Sequence, residues 1–415
     1  MPFQIKFFDR QQLLVCLFAV LVSAIANCPA KGQDRPLQLY GDQYGGLRAV
    51  RKQADRFPRL SAEFEVQRFL LMSASDWQPH HRHILAEIAT KTARHVNLLI
   101  LVDDFAQMRT TTKWLMETKQ PLHHVYFSVI DVDTVWVRDF GPLFMQQPKG
   151  ALALDFFYEG SRPKDDSLPQ KWTIDSNTKH RKINWTLQGG NLLCNGAGLA
   201  LTTTRIFKDN FITFPGAPAG QNSEIERRKI VIKNLMEACN LAELCVLEPL
   251  QNEATRHCDM FTSFLSPQDL LVARLDRNRD PVNAQILERN VARLKNIVID
   301  RKPLRIHRID LPPRQGESWS AYTNAIVANN LVLIPTFDRD PPQTLAAAKA
   351  VYRRLLPRHT VETINMTTMR NLQGELHCLS LHVPEFAPYL KTVYAFSGAK
   401  QTYFPSKRLT KTQSQ

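Results

Sequence analysis

Beyond its first thirty residues the sequence has no apolar run approaching the ~20 residues a bilayer-spanning helix needs, so no stable membrane span is expected in the mature chain. It has no zinc-type spacing among its seven cysteines and no Asp-rich loop of the calcium-binding kind, so no metal or cofactor is expected. It also lacks a stripe of Lys and Arg interleaved with stacking aromatics. The formal charge of +14 would suit an anionic partner, but the cations are scattered. The clusters Arg227-Arg228-Lys229 and Arg353-Arg354 fall within helical patterns and read as solvated faces, which argues against nucleic acid as a partner.

What the N-terminus does have is Lys6 and Arg10, then an apolar run from Leu13 to Ile25 that is short for a membrane span. With Ala24 and Ala26 as a small-residue exit, this resembles a signal peptide cleaved before Asn27, and a secreted or periplasmic protein is expected. Six cysteines would remain: Cys28, Cys194, Cys239, Cys245, Cys258 and Cys378. An oxidising compartment permits disulfides, but the spacing does not decide any pairing. Asn184-Trp185-Thr186 and Asn365-Met366-Thr367 match the glycosylation triplet.

Apolar residues recur at three and four over 80–95, 223–241, 282–297 and 342–356, which predicts helices there. Short runs rich in Val, Ile and Leu at 97–102, 125–130, 270–275 and 326–334 predict strands between them. A larger unit also repeats. A polar residue opens a strand, a turn signal follows, and a second strand returns: Asp139 before 141–145 and 151–157, Asn191 before 192–193 and 199–203, Asp259 before 260–265 and 270–273, and Asn324 before 325–328 and 331–335. Cys378 begins a truncated copy at 379–381. Helices separate several hairpins, so the pattern is a ββα-type unit repeated radially or by stacking. Around a common axis the five opening residues could converge on one cleft.

Three short segments carry candidate chemistry. Cys378 in Gly374-Glu375-Leu376-His377-Cys378 enters an expected strand, where period two would turn His377 to the opposite face. In Thr255-Arg256-His257-Cys258-Asp259-Met260 the same period puts His257 and Asp259 on one face, a usable imidazole–carboxylate pair, and Cys258 on the other. In Trp136-Val137-Arg138-Asp139-Phe140-Gly141-Pro142 an aromatic wall and a rigid turn flank a carboxylate. Each also reads as ordinary structure: a buried thiol, an exposed edge, a turn salt bridge.

Taken in order with Gly189-Gly190-Asn191, Asn195-Gly196, Leu201-Thr202-Thr203, Met260-Phe261, Tyr322-x-Asn324 and Pro335, these segments resemble the bacterial, Porphyromonas-type peptidylarginine deiminase family, which includes agmatine deiminases, over roughly residues 60–400. The resemblance implies an α/β pentein fold, a five-bladed pseudo-symmetric αβ propeller of ββαβ-type units. It implies a domain plan of signal peptide (1–26), N-terminal extension (27–58), catalytic domain (59–405) and polar tail (406–415). It also implies Cys378 as nucleophile, His257 as acid and base, and Asp139 and Asp259 as guanidinium anchors, with Trp136, Asn191 and Asn324 lining the substrate. Gln188 departs from relatives that carry Glu before Gly-Gly, which puts a supporting contact in doubt. Arg162, expected in a surface loop, sits in an Arg-Pro-x-Asp-Asp setting that in such deiminases holds a substrate carboxylate. Expected partners are therefore arginine, an arginine-containing peptide or agmatine. Rival readings are a guanidinium-binding protein without turnover, which would need no nucleophile, and a papain-like protease, whose local cysteine context is missing.

Overall fold

Asn97–Val102 reads Asn-Leu-Leu-Ile-Leu-Val, a run apolar on both faces, as a strand with both faces covered requires. It lies in parallel between Gln67–Ser73 and Val125–Val129. The computed structural model describes residues 48–50 and 57–396, except 78, 121, 212–220, 315, 317 and 373. The signal-peptide segment, Cys28 and the polar tail lie outside the described residues.

One unit recurs. An antiparallel hairpin is followed by a helix and then a strand parallel to the hairpin's second strand. The hairpins are Leu143–Gln146 with Ala151–Phe157, Leu193–Cys194 with Leu199–Thr203, Thr262–Phe264 with Asp269–Arg274, and Ile326–Ala328 with Leu331–Thr336. Their parallel partners are Lys179–Thr186, Glu243–Leu247, Arg305–Asp310 and Thr360–Asn365. A fifth unit is split across the chain: Leu381–Pro384 pairs antiparallel with Gln67–Ser73, and helix Arg82–Thr92 then leads to Asn97–Val102. Arg48–Val50, in the N-terminal extension, pairs in parallel with Ile297–Ile299.

Period two along these strands packs neighbouring units against each other. Leu331 and Leu333 join a core with Leu70, Met72 and Leu98, while Val332 and Ile334 join one with Leu270 and Leu199. Ala200 turns from that core to Leu152 and Leu154, and Ala153 turns to Leu71, Leu99 and Val383.

Helix positions agree with the periodicity, and their ends differ for local reasons. The segment 80–95 becomes Arg82–Thr92, because Pro79–His81 is a 3-10 turn and Ala93 leaves the helical region at ψ 134°. The segment 282–297 becomes Pro281–Leu294, with Pro at the first turn and the Asp280 side chain capping Asn283 N. Its last residues belong to strand Ile297–Ile299. Cys194, Cys239, Cys245, Cys258 and Cys378 are free thiols.

Candidate active site

The hairpin-opening residues do meet, but on turns rather than strands. Asp139 lies on the helical turn Val137–Phe140, and Cys258–Met260 and His377–Leu379 are 3-10 turns, as is Gly189–Asn191. This corrects the strand-face expectation for His257, Asp259 and Cys378. A three-residue turn has no period for a sequence pattern to reveal.

Cys378 Sγ, buried, is 3.6 Å from Asn324 Nδ2 and 3.9 Å from Asp259 Oδ2. His257 Nδ1 is 3.6 Å from Asp139 Oδ1, which also accepts from Gly190 N at 3.1 Å. The two halves are joined at Gly190. A methyl group there would come within 2.8 Å of His257 Nδ1 and 2.9 Å of both Asp139 Oδ1 and Asp259 Oδ2. Cys258 turns away, as expected, its sulfur 3.7 Å from Gly190 O and 3.6 Å from Leu201 O.

Burial, reinforced by Asp259 and Asp139, pushes the Cys378 thiol well above its ordinary range. Burial also raises Asp139; Asp259 adds to this and His257 opposes it. Asp259 Oδ1 and His257 Nδ1 are buried without a hydrogen-bond partner, uncommon for such atoms. The buried Asp259, the partly buried Asp139 and a suppressed thiol form a site whose chemistry a cation with several N–H donors would complete. Such a cation satisfies the acceptors and, by its charge, favours thiolate.

Among the other candidates, Asn324 borders Cys378 and accepts from His377 N at 2.9 Å. Asn191 is spent on the scaffold: its Oδ1 accepts from Thr203 N and Cys258 N at 3.1 and 3.3 Å. Trp136 lies against Gly374, where a Cβ would come within 2.4 Å of the indole, so the aromatic wall is keyed to the nucleophile segment. Arg162 does not sit in a loose loop. It precedes the helical turn Pro163–Asp166, whose Asp165 is buried and accepts from Asp133 N, Thr134 N and Thr134 Oγ1 at 2.7–3.1 Å. Arg162 donates to Tyr158 Oη at 3.0 Å, and the Tyr158 hydroxyl is raised by burial and then by Asp139, which places that pair within electrostatic reach of the site.

One contact that the sequence left in doubt is present, and other participants were turned away from the site or missed by the sequence reading. Gln188 Oε1 is 2.5 Å from His257 Nε2, so the supporting contact is present with a neutral partner. His377 faces the site and bonds Asp259 Oδ2 at 2.8 Å, against the expectation that it would turn away. Glu63 bonds His377 and Arg138, and no local signal marked it. Glu253 and Glu375 are further buried acids, both raised by burial. Glu63, His377 and His382 come within metal-ligand spacing of one another. The Arg138 guanidinium already donates to Glu63 and His382, at 2.6 and 2.8 Å, so a metal cation would have to displace it.

A profile of the Porphyromonas-type peptidyl-arginine deiminases matches residues 59–384. The agmatine deiminase of Pseudomonas aeruginosa (strain LESB58) is 24% identical over 290 residues, covering 61% of this chain and 76% of that protein. Putative agmatine deiminase 1 of Listeria monocytogenes serotype 4b (strain F2365) is 25% identical over 292 residues, with the same coverage. Among solved structures, the agmatine deiminase of Enterococcus faecalis superposes with a TM-score of 0.67 at 16% identity, covering 82% of this chain and 100% of that one. A putative arginine deiminase from Porphyromonas gingivalis gives 0.66 at 20% identity, with 80% and 99% covered. These neighbours are mixed α/β deiminases of the pentein fold, and the likeness extends to this chain's fold.

Proposed function

The chain belongs to the Porphyromonas-type peptidyl-arginine deiminase family and is a hydrolase of C–N bonds in linear amidines, and on that premise we propose that it deiminates arginine bearing a free carboxylate. The observation that carries this reading is that His257, Asp139 and Asp259 meet at Gly190 while Cys378 Sγ lies 3.9 Å from Asp259 Oδ2. Asp139 and Asp259 hold the guanidinium by charge-assisted N–H bonds and orient its carbon toward sulfur. Cys378 sulfur bonds to that carbon. One C–N bond then breaks, and His257 supplies the proton with which the nitrogen leaves as ammonia. His257 next takes a proton from water, whose oxygen displaces sulfur, leaving a ureido group and free thiol. The five units fan about this site as the blades of an αβ propeller, a reading supported by the shared cores between successive units.

Arg162 sets the preference in this proposal by clamping the carboxylate of a C-terminal arginine. Agmatine is the second reading, favoured by the curated relatives and by the bond that already engages Arg162 with Tyr158. Assays of ammonia and ureido product with agmatine, free arginine and an arginine-terminated peptide separate the two. Arg162→Ala should raise KM for the peptide about tenfold and leave agmatine unaffected. Equal losses, or a wild-type preference for agmatine, select the agmatine reading. Asp139→Asn and Asp259→Asn should each lose about 2–5 kcal/mol of transition-state binding. Normal kinetics in both would remove the carboxylates from the site, and binding without ammonia release by the wild type would leave a guanidinium-binding protein. Export rests on the N-terminal pattern alone; a mature protein beginning at Asn27 on secretion is the expected result.

A further inference from the structure

We infer that His377 is a positioning residue carried as a doubly protonated imidazolium, which ties the guanidinium-anchoring Asp259 to Glu63 and turns Asp259 toward the substrate. His377 Nδ1 lies 2.8 Å from Asp259 Oδ2, and Nε2 lies 2.8 and 3.0 Å from the two oxygens of Glu63. An ionised carboxylate only accepts, so each ring nitrogen must supply a proton. A neutral ring would set a lone pair against one of the two carboxylates inside the protein, where that repulsion is weakly screened.

The surroundings of His377 agree. Burial and Arg138 oppose its charge, yet Glu63 and Asp259 carry it above the ordinary imidazole range. Burial likewise opposes charge on Glu63, but Arg138 and His377 hold it well below the carboxylate range. Arg138 donates to Glu63 at 2.6 Å and to His382 Nδ1 at 2.8 Å, while His382 Nε2 bonds Val327 O at 2.9 Å. Burial pushes His382 down to about 3, so it stays neutral and the cations of this cluster are Arg138 and His377. Cys378 and Asn324, the other neighbours, carry no charge that would reverse this order.

Two consequences bear on the reaction. With Oδ2 held by His377, the free Oδ1 is the Asp259 atom left for substrate. The imidazolium bonded to Asp259 also offsets the Asp259 charge that disfavours thiolate. Both rest on the deiminase reading of Cys378 and Asp259. The protonation state of His377 does not.

Nitrogen NMR of histidine-labelled protein, with the His377 signals assigned by their loss in His377→Asn, tests that state directly. Two protonated ring nitrogens from about pH 6 to about pH 8 are expected, and one bare nitrogen in that window overturns the inference. Kinetics test the role. The group is active when protonated and its charge is held by Glu63, so Glu63→Gln lowers the pH at which the proton is lost. The alkaline limb of kcat/KM should move down by about one unit. A uniform loss at all pH values, with no shift, would reduce Glu63 and His377 to packing. A wild type without turnover would tell against the deiminase reading and leave the NMR result standing.

Discussion

At the scale of single residues, the partner of His257, the proposed acid and base, is the distinctive feature. Gln188 Oε1 accepts from His257 Nε2 at 2.5 Å, which leaves Nδ1, on the side of Asp139, as the atom that exchanges protons. An amide fixes this tautomer without adding charge, whereas a carboxylate there would also favour the imidazolium. Gln188→Ala should keep the fold and lower kcat/KM by about 10–100-fold, because the His257 ring loses the bond that orients it. Unchanged kinetics would mean that Gln188 does not hold the ring during turnover. Met260 and Asn324, whose amide lies 3.5 Å from the Met260 sulfur and 3.6 Å from the Cys378 sulfur, close the other side of the nucleophile. Gln188, Met260 and Asn324 stood in the motifs, but their contacts were not legible there, and Glu63 was not marked at all. Glu63 reaches His377 across 314 positions, and no pattern within a window of ten or twenty residues can encode such a contact.

At the scale of elements, the two glycines of the Gly189–Asn191 turn separate folding from function. A Cβ at Gly189 would lie 2.1 Å from the backbone oxygen of Arg138, a clash with main chain that cannot move aside cheaply. A Cβ at Gly190 meets the ends of His257, Asp139 and Asp259 instead, where the guanidinium would be held. Gly190→Ala should fold with a nearly unchanged Tm but lose at least ~100-fold in kcat/KM, since misplacement by about 1 Å suffices for that. Gly189→Ala should lower Tm or fail to fold. Thermal melts beside steady-state kinetics decide both, and a fully active Gly190→Ala would place the substrate elsewhere. The contrast also explains what the sequence could tell. Strands such as Leu331–Thr336 announce themselves as short apolar runs, buried at every position, and helices such as Pro281–Leu294 by period, because burial there selects every third and fourth residue. The catalytic turns between them are three or four residues long, so their residue types were legible while their geometry was not. The setting of Arg162 was legible only in part for a related reason: the polar Pro163–Asp166 turn after it reads as solvent-facing, yet Asp165 is buried because it caps the backbone of Asp133 and Thr134.

At the scale of the whole molecule, the ends of the described chain complete one sheet, ordered Leu381–Pro384, Gln67–Ser73, Asn97–Val102, Val125–Val129 and Tyr394–Ala395. The C-terminal segment thus covers both edges of a three-stranded parallel core, and edges left open would expose unpaired backbone. It also buries Leu381, Val383, Leu390 and Val393 against Phe69, Leu71, Leu99 and Trp172. At ~1.5–3 kcal/mol for each buried aliphatic side chain, losing these four removes roughly 6–12 kcal/mol. That is comparable with the ~5–15 kcal/mol by which domains are stable at all. A chain ending at Ser380 retains Asp139, His257, Asp259 and Cys378 but should not melt cooperatively or release ammonia. The point variant Leu381→Ala, which opens a cavity beside Gly141, should fold with a loss of about 2–4 kcal/mol in chemical denaturation. If the shortened chain folds and turns over, closure by the C-terminal strand is dispensable and the nucleophile turn is held by its contacts to Asn324 and Asp259 alone. If it fails while Leu381→Ala remains active, the last strand is what fixes Cys378 opposite residues contributed by the middle of the chain.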